Sequence, residues 1–193
     1  MRLSKIVLSL IISILAITIV AAQVPSPGDT VKTLVEAVRL TVKESQDKIP
    51  EEELDKKLRA IILPVFDFQD MSRRSLGAQW KTVTDAEREE FSSLFSELLA
   101  KTYLKRIRNN AAKSVFNIIG ETTQGESSLV RTEVEYDGEK IAIDYRMQLR
   151  DGKWHIYDVI VENIGLVSNY RSEFGGIIKK DGFGELLAKL RSK

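Results

Sequence analysis

Asp144, Tyr145 and Asp158 are the residues whose types and spacing suit proton transfer. Asp144 and Tyr145 are adjacent in KIAIDYRMQLR, and Asp158 lies in WHIYDVIVE; both segments alternate like strands. A general acid and a general base on a curved sheet need two such groups in environments that push their pKa values apart. Against this, paired acids on strands are commonly salt-bridged surface residues, and both readings stand at this point. On strand alternation Asp158 shares a face with Trp154, Ile156 and Ile160. A carboxylate buried there needs hydrogen bonds or a cation. Arg171 in the next segment is the candidate, as a clamp between helix and sheet. At a solvated sheet end Asp158 would need no such partner.

Other chemistry is absent or better explained by structure. His155 is the one histidine, and without a partner at metal or triad spacing it reads as structural. Asp67 and Asp70 suit a helix cap and a first-turn acid. Gly182 and Gly184 suit a turn before a helix rather than a phosphate loop. The chain has no cysteine, which excludes disulfides, thiol nucleophiles, thiolate metal sites and a cysteine-linked lipid anchor.

The charges balance, 29 basic against 28 acidic residues in 193. No basic excess exists to displace the counterions of a nucleic acid. The N-terminus has the three parts of a secretory signal: MRLSK, the apolar IVLSLIISILAITIV, and Val20-Ala21-Ala22 before Gln23. Residues 1–22 are therefore expected to be a signal peptide and residues 23–193 one exported domain. An uncleaved anchor is the alternative, since the apolar run approaches the ~17-residue lower limit of a spanning helix. Either way the folded part lies outside the cytoplasm, with a periplasm the expected compartment.

The elements that must position these residues fall into two halves. Val31, Leu34, Val35, Val38 and Val42 recur at helical spacing over residues 29–46. Ile49-Pro50 breaks that helix, and the next carries Leu54, Leu58, Ile61 and Ile62 up to Pro64. A short helix with Asp67 as N-cap follows over residues 66–80, with Gly77 stopping or bending it. Thr84-Asp85-Ala86-Glu87 is a capping box that opens the longest helix, lined by Phe91, Leu94, Phe95, Leu98 and Leu99. The period then changes to two. Residues 114–122, 128–136, 139–150 and 153–162 read as four strands. Asp137-Gly138 and Asp151-Gly152 are two-residue hairpin turns, and Gln124-Gly125 is a looser one. The fourth strand is apolar on both faces, with Tyr157, Val159 and Val161 opposite Trp154, Ile156 and Ile160. A helix with Leu166, Tyr170, Phe174 and Ile177 on one face follows, loosened at Gly175-Gly176. A last helix begins near Asp181. The fold class is α+β: N-terminal helices, a four-stranded antiparallel curved sheet, and closing C-terminal helices. Its apolar surplus either fills a core or surrounds a dry pocket, which periodicity does not distinguish.

Two long segments carry a resemblance. Residues 66–103, FDFQDMSRRSLGAQWKTVTDAEREEFSSLFSELLAKTY, hold a Phe-Asp-Phe run, Leu-Gly before a Trp, the capping box and a Phe-rich helix ending in Thr-Tyr. Residues 154–174 read WHIYDVIVENIGLVSNYRSEF. Together they resemble the MlaC, or toluene-tolerance, family of periplasmic phospholipid carriers. Trp80, Phe91, Tyr103, Trp154, Asp158, Asn169, Tyr170, Arg171 and Phe174 stand where that pattern expects them. The chain departs from it at Glu162-Asn163-Ile164-Gly165-Leu166, where Glu-Gly-Val-Ser-Leu is usual, and at Glu173, where Gln is usual.

The resemblance implies a non-enzymatic carrier that needs no cofactor or metal and holds acyl chains in an apolar pocket, head group outside. It implies exchange between an outer-membrane lipoprotein complex and an inner-membrane ABC transporter with an MCE-domain protein, which maintains outer-membrane lipid asymmetry. Another cargo, such as a hopanoid, is a variant of the same reading. The wall so implied comprises Tyr103, Ile107, Ile143, Tyr145, Met147, Tyr157, Val159, Val161, Leu166, Val167 and Tyr170. Phe174 would pack the helix, and Asp158 with Arg171 would lock it. A small cone-shaped enzyme and an envelope interaction module with a filled core are the rival readings.

Overall fold

Residues 24–45 and 47–192 are described by the computed structural model. The expected signal peptide, residues 1–22, lies outside the described residues. Helix α1 spans Pro27–Ser45 and buries Val31, Leu34, Val38 and Val42, the face read from its spacing. After Pro50, α2 (Glu51–Ile62) starts with three glutamates at the positive end of its dipole. It buries Leu54 and Leu58. Arg108, itself buried on the long helix that ends at Asn110, ties that helix to α2, donating to Asp55 at 2.7 Å and Glu51 at 2.6 Å.

Pro64 falls in a 3-10 turn, Leu63–Val65. The cap of α3 (Phe68–Leu76) is Asp67, whose carboxylate accepts the Asp70 N–H at 2.8 Å. Gly77, at φ 58, ends α3 where a side chain would be strained. A second 3-10 turn, Gly77–Lys81, then leads toward α4 (Asp85–Asn110). Both halves of its capping box form: the Thr84 N–H donates to Glu87 at 2.8 Å, and the Glu87 N–H to Thr84 at 3.3 Å.

The sheet is an antiparallel meander of β1 (Val115–Gln124), β2 (Ser127–Tyr136), β3 (Glu139–Arg150), β4 (Lys153–Val161) and β5 (Ile164–Gly165). It has one more strand than the sequence suggests. Glu162 and Asn163, both at positive φ (48 and 68), turn the chain back so that two residues pair with β4. The first hairpin is also tighter than expected. Gly125 takes φ 58 and lets Gln124 pair directly with Ser127.

The fourth strand corrects the simple alternation. Arg146 pairs with Asp158 and Met147 with Ile156, so Tyr157 is an extra residue in β4. A bulge of one residue shifts the side-chain phase by one. Trp154, Ile156, Val159 and Val161 therefore look to the same interior, and Tyr157, Asp158 and Ile160 lie on the other side.

After β5, α5 (Leu166–Asp181) runs through Gly175-Gly176 without a break. Gly182, at φ 87, separates it from α6 (Phe183–Arg191). Two cores result. One packs α3, α4, α5 and α6 around Phe91, Phe95, Tyr170 and Phe174. Its rings meet edge-on, Phe95 at 5.1 Å from Tyr170 and at 5.3 Å from Phe174. The other packs α1, α2 and α4 onto the sheet through Val31, Leu58, Leu104, Val130, Met147 and Ile156. No helix among the described residues is long and apolar enough to cross a membrane.

Candidate functional site: an apolar cavity beneath the sheet

The second core is hollow. Between the helices and the inner face of the sheet lies a cavity of about 440 Å³, within the ~300–1,000 Å³ usual for ligand pockets. Leu34, Val35 and Val38 of α1 form one wall. Leu99, Tyr103, Leu104 and Ile107 of α4 form the next, with Ile62, Leu63, Phe66, Phe68 and Met71 beside them. Phe116, Val134, Ile141, Ile143, Tyr145, Val159 and Val161 form the sheet side, and Leu166 closes it. The polar residues that reach it are few. Arg39, Arg59 and Arg106, with Ser96, Asn110 and Ser114, come from α1, α2, α4 and the turn after α4. Glu36 holds Arg39 at 2.8 Å and Glu97 holds Arg59 at 2.7 Å.

Three phenols line this space, those of Tyr103, Tyr136 and Tyr145. Burial alone pushes the Tyr145 hydroxyl up to about 12. Burial also raises Tyr103, against opposing effects of Arg106 and a hydrogen bond with Tyr170. Both therefore stay neutral at ordinary pH, and the sheet side presents no charge. Asp144 and Asp158 alternate with the cavity residues and occupy the other face of the sheet. The structure does not assemble Asp144, Tyr145 and Asp158 into an acid–base set.

Seven of the eleven wall residues named from the sequence line the cavity: Tyr103, Ile107, Ile143, Tyr145, Val159, Val161 and Leu166. Four do not. Met147 is buried in the filled part of the sheet core. Tyr157 is carried to the opposite face by the bulge, where the Arg74 guanidinium covers its ring at 4.0 Å. Val167 and Tyr170 belong to the aromatic core of the helices. Leu166 meets the cavity at the first turn of α5, and one turn later the helix has passed to the other core. The α1 wall and the Phe66–Phe68 segment were missed. Their signal was present in the apolar face of α1 and the Phe-Asp-Phe run, which read equally well as packing.

The Asp158–Arg171 clamp is also corrected. Asp158 is buried, but its oxygens take the Arg146 guanidinium at 3.2 Å and the Val167 N–H at 3.0 Å. It supplies the cap that Gly165 lacks at the start of α5. A Cβ on Gly165 would come within 3.1 Å of Asp158 Oδ2, so the glycine makes room for the carboxylate. Arg171 instead lies against Gly77.

Residues 32–192 match the family profile described as MlaC protein. The chain belongs to the MlaC family. It is 21% identical to the intermembrane phospholipid transport system binding protein MlaC of Haemophilus influenzae over 193 aligned residues. That match covers 96% of this chain and 90% of the relative. A phospholipid-binding protein from Ralstonia solanacearum, solved in complex with a phospholipid, is similar with a TM-score of 0.78 and 25% identity. The match covers 85% of this chain and 94% of that one. The MlaC fold thus accounts for the helices, the curved open sheet and the helices at both ends.

Proposed function

We propose that this MlaC-family protein carries phospholipid through the periplasm, its acyl chains in the cavity and its head group at the arginine-bearing rim. The observation that supports this most is an apolar cavity of about 440 Å³ bounded by seven of the predicted wall residues. The phospholipid named for its Haemophilus and Ralstonia relatives agrees with that lining. The physics needs no catalytic group. Each methylene exposed to water costs about 0.8 kcal/mol, so roughly 30 methylenes forbid free diffusion between membranes. Moving them from a bilayer into a dry cavity exchanges one apolar medium for another, and the net free energy stays small.

Direction then comes from partners. The carrier exchanges lipid between an outer-membrane lipoprotein complex and an inner-membrane ABC transporter with an MCE-domain protein. The result is maintenance of outer-membrane asymmetry, without enzymatic activity of the carrier itself.

Mass spectrometry of organic extracts tests this, on protein purified from the periplasm without detergent. Stoichiometric phospholipid is expected. A different lipid, such as a hopanoid, retains the carrier and changes its cargo. A folded protein free of lipid sinks the proposal. N-terminal sequencing of the same material is expected to begin at Gln23.

A further inference from the structure

On the face of β3 and β4 turned away from the cavity, α3, the Gly77–Lys81 turn and α5 leave a second cleft, of about 590 Å³. Five cations line it, Arg73, Arg74, Lys81, Arg146 and Arg171, and one carboxylate, Asp158. Asp158 neutralises Arg146, and the adjacent Asp70 is shared by Arg73 and Arg74. Five cations against two carboxylates leave three positive charges. Arg171 and Lys81 have no ion-pair partner among the described residues.

The guanidinium groups are seated. A Cβ on Gly77 would lie 2.9 Å from Arg171 Nη2 and 3.0 Å from its Nε, so Arg171 rests on bare backbone. The glycine that ends α3 therefore also provides a seat for this side chain. Arg74 lies over the Tyr157 ring at 4.0 Å while its Nε donates to Asp70 at 2.7 Å. A pre-oriented guanidinium loses little freedom on binding, and its fork matches the oxygens of a phosphate.

We propose that this cleft binds a phosphate group, separately from the acyl cavity. Three uncompensated charges suit a phosphate group, a monoester dianion more strongly than a phosphodiester monoanion, and its several oxygens engage more guanidinium donors than a single carboxylate does. The cleft is larger than the ion alone requires, which leaves space beside Trp80 and Tyr157 for whatever the phosphate is attached to. The strands lie between the two sites. Arg146 and Asp158 face the cleft while Tyr145 and Val159 face the cavity, so a lipid seated in the cavity does not supply this phosphate.

The test is an NMR titration of the mature protein with inorganic phosphate and with glycerol 3-phosphate, at fixed ionic strength with a chloride control. Flotation with phosphatidylglycerol vesicles runs alongside. Saturable amide shifts over Gly77–Lys81 and Leu166–Arg171 are expected. Arg171→Gln should weaken binding about tenfold or more, the loss of a charge-assisted hydrogen bond, with lipid content unchanged. Binding of the soluble phosphates identifies a free ligand. Arg171-dependent flotation without soluble binding identifies a membrane head group. Shifts that chloride reproduces, or equal affinity in Arg171→Gln, overturn the proposal. Lys81→Gln is the second variant, read in the same way if Arg171→Gln lowers the melting temperature. Lipid content is measured on every sample, so failure of this site and failure of the carrier reading are distinguishable.

Discussion

Val161 and Val167 are close in sequence but face different interiors, one the cavity and the other the packed helices. A glutamate at each should therefore fail in different ways. Val161→Glu is expected to abolish lipid retention while the fold survives, because the charge enters a hollow rather than a filled core. Val167→Glu replaces a buried valine that packs in the helix core at the edge of the arginine-bearing cleft, so it loses apolar packing and is expected to lower the melting temperature. Lipid analysis and thermal melting of the two purified proteins check this. Asp158 gives a second prediction. Asp158→Ala removes the acceptor of the Val167 N–H and the partner of Arg146, and should destabilise by about 1–3 kcal/mol. A double-mutant cycle should show coupling with Arg146 and none with Arg171. At this scale the sequence was partly legible. The partner of Asp158 was misjudged because Arg146, opposite on β3, and the backbone of α5 meet it only after the bulge. Tyr157 carries no mark of that bulge, unlike the glycines that signal turns.

The elements themselves were more legible, since caps and period are local. The capping box at Thr84 and Glu87, the Asp67 cap and the Asp-Gly hairpins all formed where the residue types demand them. The fifth strand was not legible, because Glu162 and Asn163 adopt positive φ without a glycine. Thr84→Ala should cost about 1 kcal/mol, measured by urea unfolding. Helix α3 carries a pH prediction. Burial raises the Asp70 carboxyl, but hydrogen bonds and charge from Arg74 and Arg73 outweigh it and hold the group below the usual carboxylate range. A depressed folded-state value contributes stability above the unfolded value, near ~4. That contribution is lost as pH falls through the lowered folded value. Asp70→Asn should flatten the acid side of the stability curve and leave its shape near neutrality unchanged. An acid limb as steep as that of the parent would refute this. Asp67 joins α3 to the sheet, with its N–H on the Ile156 carbonyl at 2.9 Å and its carboxylate on Arg150 at 2.8 Å.

At the scale of the molecule, the α+β architecture was readable and the hollow was not. The same apolar residues at the same spacing build a filled core around Phe91 and an open one around Tyr145. The difference is where facing side chains fail to meet, a distance that periodicity does not contain. This has a volumetric consequence. A space lined by Leu, Val, Ile and Phe holds water poorly, so emptied protein keeps poorly hydrated space that unfolding eliminates. The volume decrease on unfolding scales with such space. Hydrostatic pressure is therefore expected to unfold the delipidated protein at lower pressure than the loaded protein. High-pressure fluorescence of Trp80 and Trp154 would follow both forms, and the gap between their midpoints would register whether the hollow is occupied.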